Sequence, residues 1–433
     1  MKIKNIQTWI YSLSFLAVVS CKPTIDTPEL SKGSADFSKY IAVGNSLTAG
    51  YADNGLYLEG QKVAYPNLIA AQMKAVGGGN FTSPFFTDAQ SDGSGYVKLT
   101  GFNADGTPIV TPVADKLAYR SQQPLLLTKH TEEVQNLGIP GMRLDLGYAA
   151  PTFSGANMYF ERLLNSNQVD NTTYFDFIQN RNHTFFSFWL GNNDILGWAT
   201  AGGDAGTDPT KQRTDKTQFA QLYTAFITSL TSKGQKGAVA TIPDVTSVPF
   251  FNTKTVALIN AGLKANPQTA NLPGIFINAL NPSTNTYQAR LATAEDLIIL
   301  TFDTGVIGSG PGYGLDQNLP IENKYVLDKE EVRIAKDYVT SYNNSIKQIA
   351  EAKGLALVDT YTILNDIKSG KDYDGIHVSS SYITGNAFSL DGVHLTPIGN
   401  AVIANEFIKA INAKYSSTIP PVNVANYSGV KFP

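Results

Sequence analysis

Short apolar runs in this chain stop abruptly at clusters of turn-forming residues, and that repeated stop constrains the fold more than any other feature. Tyr40-Ile41-Ala42-Val43 ends in Gly44-Asn45-Ser46, Thr184–Leu190 ends in Gly191-Asn192-Asn193-Asp194, and Gly237–Ile242 ends at Pro243. Helical patterns lie between them. Pro66–Val76 reads as a helix with Pro66 in its first turn and Gly77 at its stop. Phe219, Leu222, Tyr223, Phe226, Ile227 and Leu230 recur at the spacing of one helix face, with Gly234 placed to end it. Asp328-x-x-Glu331 is a capping-box variant that opens a helix running to Gly354. Leu355–Val358 is a further strand, and Pro397–Tyr415 a last helix with Thr396 as its N-cap. Nearly continuous apolar strands alternating with helices predict an α/β fold whose parallel sheet is covered on both faces. Chemistry in such folds sits at the carboxyl ends of the strands, where the glycine and asparagine clusters fall.

Two stretches break the alternation. Residues 77–130 are rich in Gly, Ser, Thr and Pro, and residues 252–327 contain Asn271-Leu272-Pro273-Gly274 and the run Gly305–Gly314. Both read as insertions folding over one edge of the sheet, within a domain spanning 37–415. Residues 416–433 then form an extended surface tail. Ala292–Leu300 and Val306-Ile307 suit either an acyl channel or the core of the second insertion.

The N-terminus is an export signal. Lys2 and Lys4 precede an apolar run from Trp9 to Val19 that is too short to span a bilayer comfortably. Val18-Val19-Ser20-Cys21 resembles a bacterial lipobox, which implies removal of residues 1–20 and lipidation of Cys21, the one cysteine in the chain. Several acyl chains on one residue suffice for stable anchoring. Residues 21–36 then serve as a polar tether, and the protein is expected at the cell envelope. Lys22 leans towards an outer membrane or cell surface.

Composition excludes other classes. A formal charge of -3 lacks the electrostatic footprint of a nucleic-acid binder. One cysteine and four scattered histidines offer neither a disulfide framework nor a metal centre, so no metal and no cofactor is expected. Nothing in the sequence speaks to oligomeric state.

The chemistry is read from what remains. No Gly-x-Ser-x-Gly elbow and no phosphate-binding Gly-Lys-Ser/Thr occurs, and the run at 305–314 does not follow a strand and open a helix. Ser46 stands at a strand end. A serine needs a base to attack at neutral pH, and histidine suits that task. Asp391, three residues before His394, is spaced to orient such a base. Backbone N–H groups at Ser46 and Gly141, with an asparagine amide, supply donors for an oxyanion. Asp374-Gly375-Ile376-His377 is a rival with the same spacing, but only Asp391–His394 leads into a helix start, at Thr396-Pro397. His130 and His183 have no suitably spaced acid and read as surface or packing residues.

These residues resemble the SGNH hydrolases, also called GDSL esterases and lipases. The first block of that family is similar to Val43-Gly44-Asn45-Ser46-Leu47-Thr48, and the second to Asn136–Gly141. The third, Gly-x-Asn-Asp, matches Gly191–Asp194, and the last matches Asp391-Gly392-Val393-His394. The resemblance implies a three-layer α/β/α sandwich of flavodoxin-like type. It implies Ser46 as nucleophile, Asp391 and His394 as its partners, and Ser46, Gly141 and Asn193 (rather than Asn192) as the oxyanion hole. It also implies a small ester, or an acylated glycan or lipid, as substrate. One departure stands out: Asn45 replaces the family aspartate, and is expected to brace the serine turn through its carbonyl. The readings left open are an esterase or lipase, a glycan O-deacetylase, and an inactive scaffold kept as a surface binding lipoprotein.

Overall fold

The computed structural model describes residues 29–104 and 106–433, so the signal segment and Cys21 lie outside the described residues. Five strands form the central sheet: β1 (Tyr40–Gly44), β2 (Asn136–Gly138), β3 (Phe185–Trp189), β4 (Lys236–Ala240) and β5 (Ala356–Val358). Their spatial order is β2-β1-β3-β4-β5, and every neighbouring pair is parallel. That is the flavodoxin-like order, whose topological switch point lies between β1 and β3. β2 escapes a reading by apolar runs because it has three residues, Asn136-Leu137-Gly138.

The helices that matter for the site are α1 (Ser46–Ala49), α2 (Tyr65–Met73), α3 (Asn193–Thr200), α4 (Lys216–Leu230), α5 (Lys329–Ala352) and α6 (Pro397–Tyr415). Local chemistry sets their starts. Thr396 caps α6 by accepting from Gly399 N–H, and Asp328 and Glu331 complete both halves of a capping box on α5. α4 ends at Leu230, and the turn after it closes at Gly234, which takes φ +77° and donates its N–H to the Thr231 carbonyl.

Adjacent side chains on a strand point to opposite faces, and β3 shows the resulting layers. Trp189 packs against Tyr65 of α2 and Phe407 of α6, while Phe188 packs against Tyr223 and Phe226 of α4. Phe219 of α4 stacks on Tyr342 of α5, ring centroids 3.7 Å apart. Phe185, Phe186, Phe188 and Trp189 are all completely buried, as strands covered on both sides must be. The protein is a three-layer α/β/α sandwich.

The insertions form sheets of their own and add no strand to the central one. Within 77–130, Phe86, Ala118 and Leu127 bury against Ala49, Leu56 and Leu58, just behind Ser46. Within 252–327, a hairpin (Phe276–Asn281 with Thr286–Leu291) accompanies three two-residue strands, and the Leu300 N–H donates to the Phe250 carbonyl. Ile298 and Ile299 are buried in this insertion. The tail differs from a loose surface segment. It runs without regular structure apart from a turn at Val424–Asn426, yet Ile419, Val422 and Val424 are buried. Asn412 and Asn405 of α6 hold it by accepting from the Ile419 and Val422 N–H groups and donating to their carbonyls.

Candidate active site

Three strand ends bring three sequence blocks together. Gly44 pairs with Trp189 of β3 on one side and Gly138 of β2 on the other. The Tyr174 hydroxyl ties these ends, donating to the Leu137 carbonyl at 2.6 Å and accepting from Gly44 N–H at 3.2 Å. Directly after β1 the chain turns into α1. A side chain at Gly138 is impossible there, because its Cβ would lie 2.4 Å from the Ala49 nitrogen. Asn45 is the N-cap of α1, and its carbonyl accepts from Leu47 N–H at 3.2 Å. The bracing contact therefore needs an oxygen, which asparagine supplies as well as aspartate does.

Ser46 and His394 meet although 348 residues separate them: Nε2 lies 2.8 Å from Oγ. The other ring nitrogen, Nδ1, lies 2.9 Å from Oδ2 of Asp391. Asp391 is itself held by the backbone, with Oδ1 accepting from the Val393 and His394 N–H groups at 2.9 and 2.8 Å. Burial would push its carboxyl up, but the adjacent His394 ring and these donors outweigh burial and hold it well below the usual carboxylate range.

The donor side is equally defined. Gly141 takes φ +78°, a left-handed conformation open to glycine, and its N–H has no acceptor among the described residues; nor does that of Ser46. Asn193 gives one amide proton to the Met142 carbonyl at 2.9 Å and keeps the other free. Gly141, Asn193, Ser46 and His394 line one cleft. Asn192 is buried with its carbonyl oxygen unpaired and lines a separate, smaller chamber beside Ser46.

Positioning groups appear that no motif announced. Arg143 is completely buried and donates to the carbonyls of Asn193, Thr210 and Gln212 at 3.0, 3.1 and 2.6 Å. Asp194 accepts from Leu144 N–H and the Thr214 hydroxyl. Burial pushes the Asp194 carboxyl up, with the Arg143 charge opposing. Together they lock the 141–144 loop to the start of α3. Arg143 pairs with Asp145 two residues on, but nothing local signals its positioning role, since the groups it ties together are the distant carbonyls of Asn193, Thr210 and Gln212 and the Thr214 hydroxyl. The turn Asp53-Asn54-Gly55 does carry one. Both Asp53 and Asn54 adopt left-handed φ, 52° and 64°. Asn54 N–H donates to Asp391 at 3.2 Å, Asp53 N–H donates to the Ser389 hydroxyl at 3.0 Å, and the Asp53 carboxylate accepts from Leu390 N–H at 2.9 Å.

The rival histidine is elsewhere. His377 lies on a small hairpin, 67% exposed, with Nδ1 2.8 Å from Asp372 rather than Asp374. Asp374 instead accepts from Val424 N–H of the tail. His183 is buried, its two ring nitrogens against the carbonyls of Arg181 and Leu230. No group of three or more potential metal ligands occurs among the described residues.

A family model described as GDSL-like lipase/acylhydrolase matches residues 40–407. The chain belongs to that family. As a GDSL hydrolase it cleaves esters. Among solved structures, similarity extends to an acetylxylan esterase from Geobacillus stearothermophilus, at 11% identity over 88% of this chain and 96% of that one, TM-score 0.35. It extends also to a lipase/acylhydrolase from Enterococcus faecalis, at 11% identity over 89% and 99%, TM-score 0.33. No protein of curated function matches the sequence.

Proposed function

We propose that this GDSL hydrolase is a serine esterase working through an acyl-enzyme on Ser46. The observation that carries the reading is the unbroken relay from Ser46 Oγ through His394 to Asp391, at 2.8 and 2.9 Å, at the switch point of the sheet. His394 Nε2 takes the Ser46 proton as Oγ attacks the ester carbonyl. The negative charge that develops on the carbonyl oxygen is met by the N–H groups of Ser46 and Gly141 and the free amide proton of Asn193. His394 then gives its proton to the departing alcohol, leaving the acyl group on Ser46. A water, deprotonated by the same nitrogen, attacks that carbonyl. The acid departs and the serine regains its proton.

A fluorophosphonate probe tests this, because only an activated serine reacts with it. Labelling at Ser46 that disappears in His394→Ala is the expected result. Unlabelled wild-type protein favours instead a surface binding protein built on a silent hydrolase scaffold.

The lipobox-like Val18-Val19-Ser20-Cys21 supports a second element of the proposal, an enzyme tethered by lipid at Cys21 to the cell envelope. No described helix is long and apolar enough to cross a membrane. Release of Cys21→Ala from the membrane fraction, with loss of palmitate incorporation, is the expected outcome.

A further inference from the structure

Two chambers of unequal size open onto Ser46, and they share Ser46, Asn193, Leu196 and His394. One is an open cleft of about 490 Å³ walled by Tyr51, Phe153, Asn157, Met158 and Tyr159. The other is a small apolar chamber of about 40 Å³, walled by Val245, Val248, Leu364, Phe388 and Val393. Val248, Leu364 and Phe388 are buried, so the walls of the small chamber are part of the packed interior.

An ester bound at Ser46 must place its acyl group in one chamber and its alcohol in the other. The alcohol leaves first and water must take its place, which demands an open path beside His394. The acyl group stays attached to Ser46 until the end and needs only an apolar seat. The small chamber therefore takes the acyl group and the cleft takes the alcohol. Size then sets specificity: an apolar cavity of about 150 Å³ can hold a benzene, and this one, at about 40 Å³, is far smaller. The segments 292–300 and 306–307, whose sequence suits either an acyl channel or the core of the second insertion, line neither chamber.

We infer that the enzyme is selective for short acyl groups, of acetyl size, carried on a bulky alcohol, with Val248 and Leu364 setting the limit on chain length. This rests on the Ser46 assignment made above. The alcohol cleft fits a ring-bearing alcohol, because Tyr51 and Tyr159, packed edge to face with ring centroids 6.1 Å apart, give it one aromatic wall, with Tyr51 also 4.7 Å from the His394 ring. A fatty acyl chain has no room in the small chamber of about 40 Å³.

The test is the kcat/KM series of the wild-type protein on p-nitrophenyl acetate, butyrate and octanoate, with Ser46→Ala run beside it. Each methylene that cannot be seated costs about 10-fold or more, so butyrate, two methylenes longer, should fall about 100-fold or more below acetate and octanoate further. Leu364→Ala and Val248→Ala should raise the butyrate-to-acetate ratio. Octanoate cleaved as well as acetate, with all activity lost in Ser46→Ala, overturns the short-acyl inference and leaves the Ser46 assignment standing. Activity that survives in Ser46→Ala overturns both. Should either enlarged variant fail to fold, the wild-type series alone decides.

Discussion

The chain contains the tetrapeptide pattern Asp-Gly-x-His twice, and the two copies have different fates. Asp391–His394 forms a buried pair that reaches Ser46, whereas Asp374–His377 splits, its histidine turning to Asp372 and its acid to the tail. Burial separates them: the side chains of His394 and Asp391 are 16% and 7% exposed, those of His377 and Asp372 67% and 74%. A spacing of three brings an acid and a histidine within reach. It does not make them a pair. What does so is a surrounding frame: the α6 N-terminus behind, the Asp53-Asn54 turn in front, and backbone donors that fill the carboxylate.

The sharpest way to break this comparison is to remove each histidine. His394→Ala should cost about 10⁴–10⁶ in kcat, and His377→Ala should stay within about twofold, as exposed substitutions do. Hydrolysis of a soluble p-nitrophenyl ester reads both, and equal losses would erase the distinction. Next in size is the acid. Asp391→Asn keeps the shape but offers the wrong hydrogen-bond partner to Nδ1, for an expected loss of about 10⁴, whereas Asp374→Asn should leave turnover near wild type.

The frame itself can be tested. Asp53→Ala removes the acceptor for Leu390 N–H and for the Tyr57 hydroxyl, 2.7 Å away. Loosening the loop that carries Asp391 should lower kcat by about 10- to 100-fold while KM moves little, and Asp53→Asn should recover part of it. A fall in KM and kcat together, or no change, would deny the turn its positioning role.

The smallest effect is on stability in acid. The Asp391 carboxyl titrates below its unfolded value, so its contribution is fully present above the unfolded pKa and is lost as pH falls through the folded one. Wild-type Tm should therefore drop more steeply below about pH 4 than that of Asp391→Asn. Parallel profiles would show that the pair adds nothing to the fold. Asp53 works in the opposite sense, since burial raises its carboxyl despite the donors from Leu390 and Tyr57.

Much of this was legible in the residues alone. Apolar runs bounded by glycine mark β1, β3 and β4, and Thr396-Pro397 marks the start of α6 at the residue where it occurs. These signals are local, because a strand covered on both faces must be apolar throughout and a helix must cap its own free N–H groups. Less legible were β2, too short to show a run, and the tail, whose three buried apolar residues look scattered until the asparagines of α6 fix them.

Local chemistry determined the elements and the four blocks of reactive residues, since turns, caps and hydrophobic period act within a few positions of one another. Only the tertiary structure decided which Asp-Gly-x-His would meet Ser46, what Arg143 would hold, and how little room lies beside the nucleophile. Those outcomes depend on side chains hundreds of residues apart competing for the same buried space, and no stretch of sequence contains that competition.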